Sequence, residues 1–169
     1  LFTLALSAQV DTIRTKLLLT EKGGYNSLVE RFIQSDTSLS IEDFQLIYYG
    51  YQTTDSYYSK ENEFNENLIK PLNRAGKYAE AMVLADTILR LNPVSIVAHF
   101  EKAFACGKLG LKELETFHFK RFVLLCNVIK LSGNGSGLLR YNCNSTNDAL
   151  EFIAYKGLTA VHDHKTETG

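Results

Sequence analysis

GKYAEAMVLADTILRLNP, Gly76 to Pro93, is the stretch that decides how this chain of 169 residues folds. Gly76 ends one helix and Pro93 cannot continue the next, because proline lacks the backbone donor a helix interior needs. Between them Ala81, Met82, Ala85, Ile88 and Leu89 recur at helical spacing. Ala81 and Ala85 lie one turn apart on the same face, and their small side chains let a second helix approach closely. Upstream, Phe64, Leu68, Ile69 and Leu72 repeat the spacing and predict a helix kinked at Pro71. Downstream, Ser95 to Leu109 reads as a helix with Ala98, Ala103 and Cys106 as small packing residues, closed by Gly110. Lys112 to about Ile129 follows, carrying Phe117, Phe119, Phe122, Val123, Leu125 and Cys126. That is more apolar surface than one face holds, so this helix is expected to be covered on two sides.

Further out, Val10 to Thr20 predicts a short helix stopped by Gly23 and Gly24. Tyr25, Leu28, Val29, Phe32 and Ile33 mark a second. Ser40 stands three residues before Asp43, a capping-box start for a helix whose apolar face is Ile41, Phe44, Ile47 and Tyr48. YYGYQTTDSYY, Tyr48 to Tyr58, places five tyrosines in a loop with aromatic anchors. LSGNGSG, Leu131 to Gly137, breaks the composition and marks a boundary. Beyond it Leu138 to Cys143 reads as a strand. A short helix follows, capped by Ser145 or Thr146 and ended by Gly157, and Leu158 to His164 reads as a second strand. Residues 9–131 are thus expected to form a helical domain and residues 132–169 a small strand, helix, strand appendage.

Composition narrows the function classes. A hydrophobic content of 45% supports a core, and 18 Lys and Arg against 19 Asp and Glu give a net charge of −1. A phosphate-binding surface needs surplus positive charge, so nucleic acid is not the expected partner. No uncharged apolar run reaches membrane-spanning length. LFTLALSA, residues 1–8, reads as part of a signal-peptide core followed by small residues, and otherwise as a short buried strand or helix start. The first reading makes the protein exported, periplasmic or attached to the cell envelope. Cys106 and Cys126, on the two arms of a hairpin turning at Gly110, are out of register by more than ~10 Å at about 1.5 Å of rise per residue. Both fit the role of small buried hydrophobes.

Gly76 and Gly110 are 110 − 76 = 34 residues apart. That is the period of the tetratricopeptide repeat, two antiparallel helices with small residues where they touch and Pro after the second. Gly76, Tyr78, Glu80, Ala81, Leu89 and Pro93 resemble that motif; the second unit keeps Ala103 and Gly110 but has Lys112 and Glu115 at motif positions. The fold expected is mainly α: tetratricopeptide-like antiparallel helical hairpins with a β-containing C-terminal appendage. Together with LVERFIQSDTSLSIEDF (Leu28 to Phe44), IYYGY (Ile47 to Tyr51) and KRFVLLCNVIKLSGNGSG (Lys120 to Gly137), the repeat block resembles the DUF4919 family, a domain of unknown function of exported proteins in Bacteroides-type bacteria. The resemblance covers roughly Tyr25 to Leu158 and implies export, a helical fold and no known activity. Members usually carry an acidic residue where this chain has Asn134, and they continue into further strands beyond Gly169, which implies a shortened C-terminal sheet here.

The resemblance to the repeat sets Glu63, Glu66, Lys70, Asn73 and Arg74 of one unit on an inner wall with Val97, Phe100, Glu101, Phe104 and Lys108 of the other. The partner-binding groove expected there uses Lys70, Asn73, Arg74, Val97, Phe100, Phe104 and Lys108 to hold a protein or peptide, cations pairing with its carboxylates. The competing reading is a solvated helix face, or a wall filled by the protein's own N-terminal helices. A second candidate is an aromatic platform of Tyr49, Tyr51, Tyr57 and Tyr58 for a glycan or small ligand, against rings that merely pin the loop to the bundle. His162, Asp163 and His164 offer too few ligands for a metal, and GNGSG lacks the Lys and helix of a phosphate loop. No nucleophile, base and acid gather in the sequence, so no catalytic residue, metal or cofactor is expected and the chain is read as non-enzymatic.

Overall fold

The computed structural model describes residues 11–58, 60–136 and 139–158. Among them are eight α-helices and no strand: α1 (Thr12–Glu21), α2 (Tyr25–Ile33), α3 (Ile41–Gly50), α4 (Lys60–Arg74), α5 (Tyr78–Leu91), α6 (Ile96–Lys108), α7 (Lys112–Leu131) and α8 (Thr146–Tyr155). Two short 3-10 turns, Tyr51–Thr53 and Asp55–Tyr58, join α3 to α4.

Local chemistry sets the boundaries. Asp11 caps α1 by accepting from the Ile13 and Arg14 N–H groups. The capping box at Ser40 is complete, with the Asp43 N–H donating to Ser40 Oγ at 3.2 Å and the Ser40 N–H to Asp43 Oδ2 at 2.9 Å. α4 runs through Pro71. The turns after α4 and α6 are built alike, 34 residues apart. Gly76 and Gly110 both have φ of +75°. The Lys77 N–H reaches the Leu72 carbonyl and the Leu111 N–H reaches the Cys106 carbonyl, each at 2.9 Å, the six-residue loop that closes a helix on a left-handed glycine.

α4 packs on α5, α5 on α6, α6 on α7, and α4 also touches α6. Ala81 and Ala85 of α5 meet Ala98 and Ala105 of α6 in a cluster completed by Ile69 and Ile88, so Ala81, Ala85 and Ala98 pack as expected, whereas Ala103 lines a cavity facing α7 instead. A larger core joins α1, α2 and α3 to α7 and α8 through Leu28, Phe32, Ile47, Tyr48, Phe122, Leu125 and Phe152. α7 presents two kinds of surface. Phe122, Leu125, Cys126 and Ile129 are buried, while Phe117 and Phe119 keep 36% and 47% exposure, so its cover on the second side is partial.

The expected C-terminal strands are corrected in part. Residues 139–143 form no strand: the Asn142 N–H donates to Ser132 Oγ at 2.8 Å and its carbonyl accepts from Tyr49 Oη at 3.2 Å, so the backbone is satisfied by side chains instead of a ladder. The second expected strand, with His162, Asp163 and His164, lies outside the described residues, as does the Leu1 to Ala8 segment. α8 forms where it was expected, capped by Ser145 and followed by Gly157 at φ +67°. Cys106, Cys126 and Cys143 are free thiols.

Candidate functional site

α4 and α6 lie side by side and α8 is seated against α6. One buried carboxylate ties the three together. Glu66 of α4 accepts from Ser95 Oγ, the N-cap of α6, at 2.5 Å and from Asn147 Nδ2 of α8 at 3.1 Å. One turn along α4, Lys70 pairs with Glu151 of α8 at 3.7 Å. Asn73 is buried and turned inward, donating to the Glu101 carbonyl at 2.9 Å and to Glu101 Oε2 at 2.7 Å. The lower half of the expected groove is therefore occupied by the chain's own α8. Lys70 and Glu66 are partnered there by α8, Asn73 is partnered by Glu101 of α6, and Val97 is buried. Glu63 is outside the described side chains.

The tyrosines hold α8 in place. Tyr48 Oη donates to Asp148 Oδ2 at 2.8 Å and accepts from the Asn144 N–H at 3.0 Å. Tyr57 Oη donates to the Asn144 carbonyl at 2.8 Å and Gln52 Nε2 to Asn144 Oδ1 at 2.9 Å. Tyr49 and Tyr51 are buried and Tyr57 is half-buried, while the side chain of Tyr58 is outside those described. The aromatic platform expected of Tyr49, Tyr51 and Tyr57 is not formed, because their hydroxyls are spent on backbone carbonyls and their rings on the core. Burial raises Asp148 to about 8, helped by the carboxylates of Glu66 and Glu151, so it holds its proton at neutral pH.

The upper half of the wall is open. Phe104 is 42% exposed, met edge-on by Tyr78 at 6.3 Å and covered on one side by Lys108, whose Nζ is 5.2 Å from the ring centre. Phe100 is half-buried against Phe122, with ring centres 4.9 Å apart, and Arg74 is exposed. Phe100, Ala103 and Phe104 of α6 face Thr116, Phe119 and Lys120 of α7 across a cavity of about 540 Å³. Lys120 also borders a cavity of about 400 Å³ with Ile41, Phe44 and Leu124, and one of about 700 Å³ with Leu39, Phe117 and Arg121. Phe119 and Lys120 thus lie in an apolar band along α7 that the sequence reading did not single out. Its signal was the excess of aromatic residues on that helix.

These features define a mainly helical domain with one wall filled from within and an aromatic strip left open. The chain belongs to the family described as Domain of unknown function (DUF4919), which matches residues 20–168. No curated protein and no solved structure matches it. No helix among the described residues is long and apolar enough to cross a membrane, and no group of three or more metal-ligating side chains gathers among them.

Proposed function

We propose that this protein is a non-enzymatic, exported binding module that holds an apolar, acidic peptide or protein segment along the strip from Phe104 to Phe119. The open aromatic strip beside Lys108 and Lys120 carries the reading. Contiguous exposed aromatic surface marks an interaction site, and Lys108 and Lys120 favour carboxylates on the occupant, since the one carboxylate in the lining, Glu115, is paired with Lys112. The scaffold is read as two tetratricopeptide-like units, α4 with α5 and α6 with α7. Supporting this are the identical turns at Gly76 and Gly110 and the small-residue seam of Ala81, Ala85, Ala98 and Ala105. α8 occupies the wall where a third unit's packing surface would otherwise be needed. Export rests on the Leu1 to Ala8 pattern.

The test is a photoreactive residue placed at Phe104 or Phe119 in cells of the natural host, with Val83, 67% exposed on α5, as the control position. The module reading expects one crosslinked species from Phe104 and Phe119, none from Val83, and loss of the Phe119 crosslink when Phe104→Ala is added. Equal labelling at all three positions contradicts it. Fractionation of the same cells tests export, with a cytoplasmic pool as the contrary result.

A further inference from the structure

On the side of α6 opposite Phe104, a second cavity of about 540 Å³ opens between α2, α5, α6 and α7. His99 and Lys102 line it from α6, His118, Arg121 and Phe117 from α7, and Asp86 from α5. The two imidazoles have a defined proton inventory. His99 Nε2 is 3.1 Å from the Pro93 carbonyl, which can only accept, so that nitrogen carries a hydrogen. Both rings are buried beside Arg121 and Lys102, and burial first, then for His99 its neighbour His118, then those charges, pushes them down to about 3 and about 4, so both are neutral. A neutral imidazole has one N–H, which leaves His99 Nδ1 bare. His99 Nδ1 is 2.9 Å from His118 Nδ1, so His118 must donate through Nδ1. Its only proton is then committed, and His118 Nε2 is a lone pair with no hydrogen-bond partner among the described residues.

Beside this acceptor stand cationic donors. Arg121 Nη2 holds the end of α2 through the Phe32 carbonyl at 2.6 Å and the Ile33 carbonyl at 2.8 Å, and the guanidinium lies 3.6 Å from the Phe117 ring centre. Its Nε and Nη1 have no partner among the described residues. Lys102 is buried and pairs with Asp86, so with Arg121 and Arg90, which also line the cavity, the wall keeps two net positive charges. A cavity of this size, mostly apolar with a few convergent polar groups, is what small-ligand sites look like.

The geometry points to a binding site for a small aromatic or aliphatic hydroxy acid, its carboxylate on Arg121 and Lys102, its hydroxyl donating to His118 Nε2, and its apolar body against Phe117. This site is separate from the peptide strip and does not depend on it. The test uses the full chain labelled with 15N-histidine and three probes: mandelate, phenylacetate, which lacks the hydroxyl, and mandelamide, which lacks the carboxylate. Before any probe is added, long-range 1H–15N spectra at pH 7 should show His118 protonated on Nδ1 and His99 on Nε2; the opposite tautomer at His118 overturns the inference. Mandelate should then move the His118 Nε2 resonance upfield in a saturable way, with phenylacetate and mandelamide each at least tenfold weaker, about the loss of one buried polar contact. Lys102→Met, which leaves the imidazole pair and Arg121 intact, should keep the helical circular dichroism and weaken mandelate about tenfold. No response to millimolar mandelate, or equal affinity for the three probes, overturns the proposal.

Discussion

Replacing Asp148 by Asn tests how α8 is held, because its effect on stability varies with pH in a direction this arrangement sets. Asp148 sits at the first turn of α8 with its carboxyl buried beside Tyr48, Glu66 and Glu151. Folded, it titrates at about 8; unfolded, at its ordinary value of 3.8. A raised carboxyl contributes stability that is complete below the unfolded value and is lost as pH rises through the folded one. His99 and His118 act in the opposite sense. Their folded values of about 3 and about 4 lie below the ordinary 6.5, so their contribution is complete above 6.5 and is lost as pH falls. Stability should therefore peak near pH 6.5. From there to pH 8 the wild type should lose about 2 kcal/mol, at roughly 1.4 kcal/mol per pH unit for one proton. Asp148→Asn keeps an acceptor for Tyr48 and removes the proton. Urea unfolding followed by circular dichroism should show the alkaline decline flattened in the variant and the acid limb steeper, because between pH 3.8 and 6.5 Asp148 opposes the two histidines. An alkaline decline that survives in Asp148→Asn refutes the assignment.

Tyr48→Phe removes one donor to Asp148 and one acceptor for the Asn144 N–H, and should cost about 1 to 3 kcal/mol. Hydrogen exchange should rise in α8 while α5 stays protected; uniform loss of protection speaks against a local clamp. Gly76→Ala and Gly110→Ala should each cost about 1 to 2 kcal/mol, and the same within error, since both sit at φ +75° with nothing within 4 Å of an added Cβ. A large difference in their urea midpoints would show the two turns are not equivalent. Arg121→Met leaves the carbonyls of Phe32 and Ile33 without their buried donor and should cost roughly 2 to 4 kcal/mol by urea unfolding, whereas a neutral substitution denies that Arg121 fastens α2 to α7.

Much of the helical scaffold was legible in the residues because its causes are local. Gly76, Ala81, Ala85 and Pro93 set the limits and packing face of α5, and the Ser40 and Asp43 pair set the start of α3. The strand expected up to Cys143 failed because alternation alone cannot show whether a neighbouring strand exists; here Ser132 and Tyr49 satisfy the backbone. The wall of the groove was placed on α4 and α6 from the repeat, and its filling was weighed only for the N-terminal helices, not for α8. That depends on Glu66 meeting Asn147, 81 residues away, and on Tyr48 meeting Asp148, 100 residues away. Spacing along the chain carries no signal for such pairs. The bond between His99 and His118 likewise comes from the close seating of α6 on α7.

That α8 fills the wall of α4 and α6 is the claim on which the open strip and its limits depend, and nuclear Overhauser effects test it most directly. At pH 6.5 the account predicts cross-peaks between the rings of Tyr155 and Phe122, whose centres are 5.3 Å apart, and between the side-chain amide of Asn147 and the methylene protons of Glu66. Absence of both, with coil-like shifts across Thr146 to Tyr155, would contradict it.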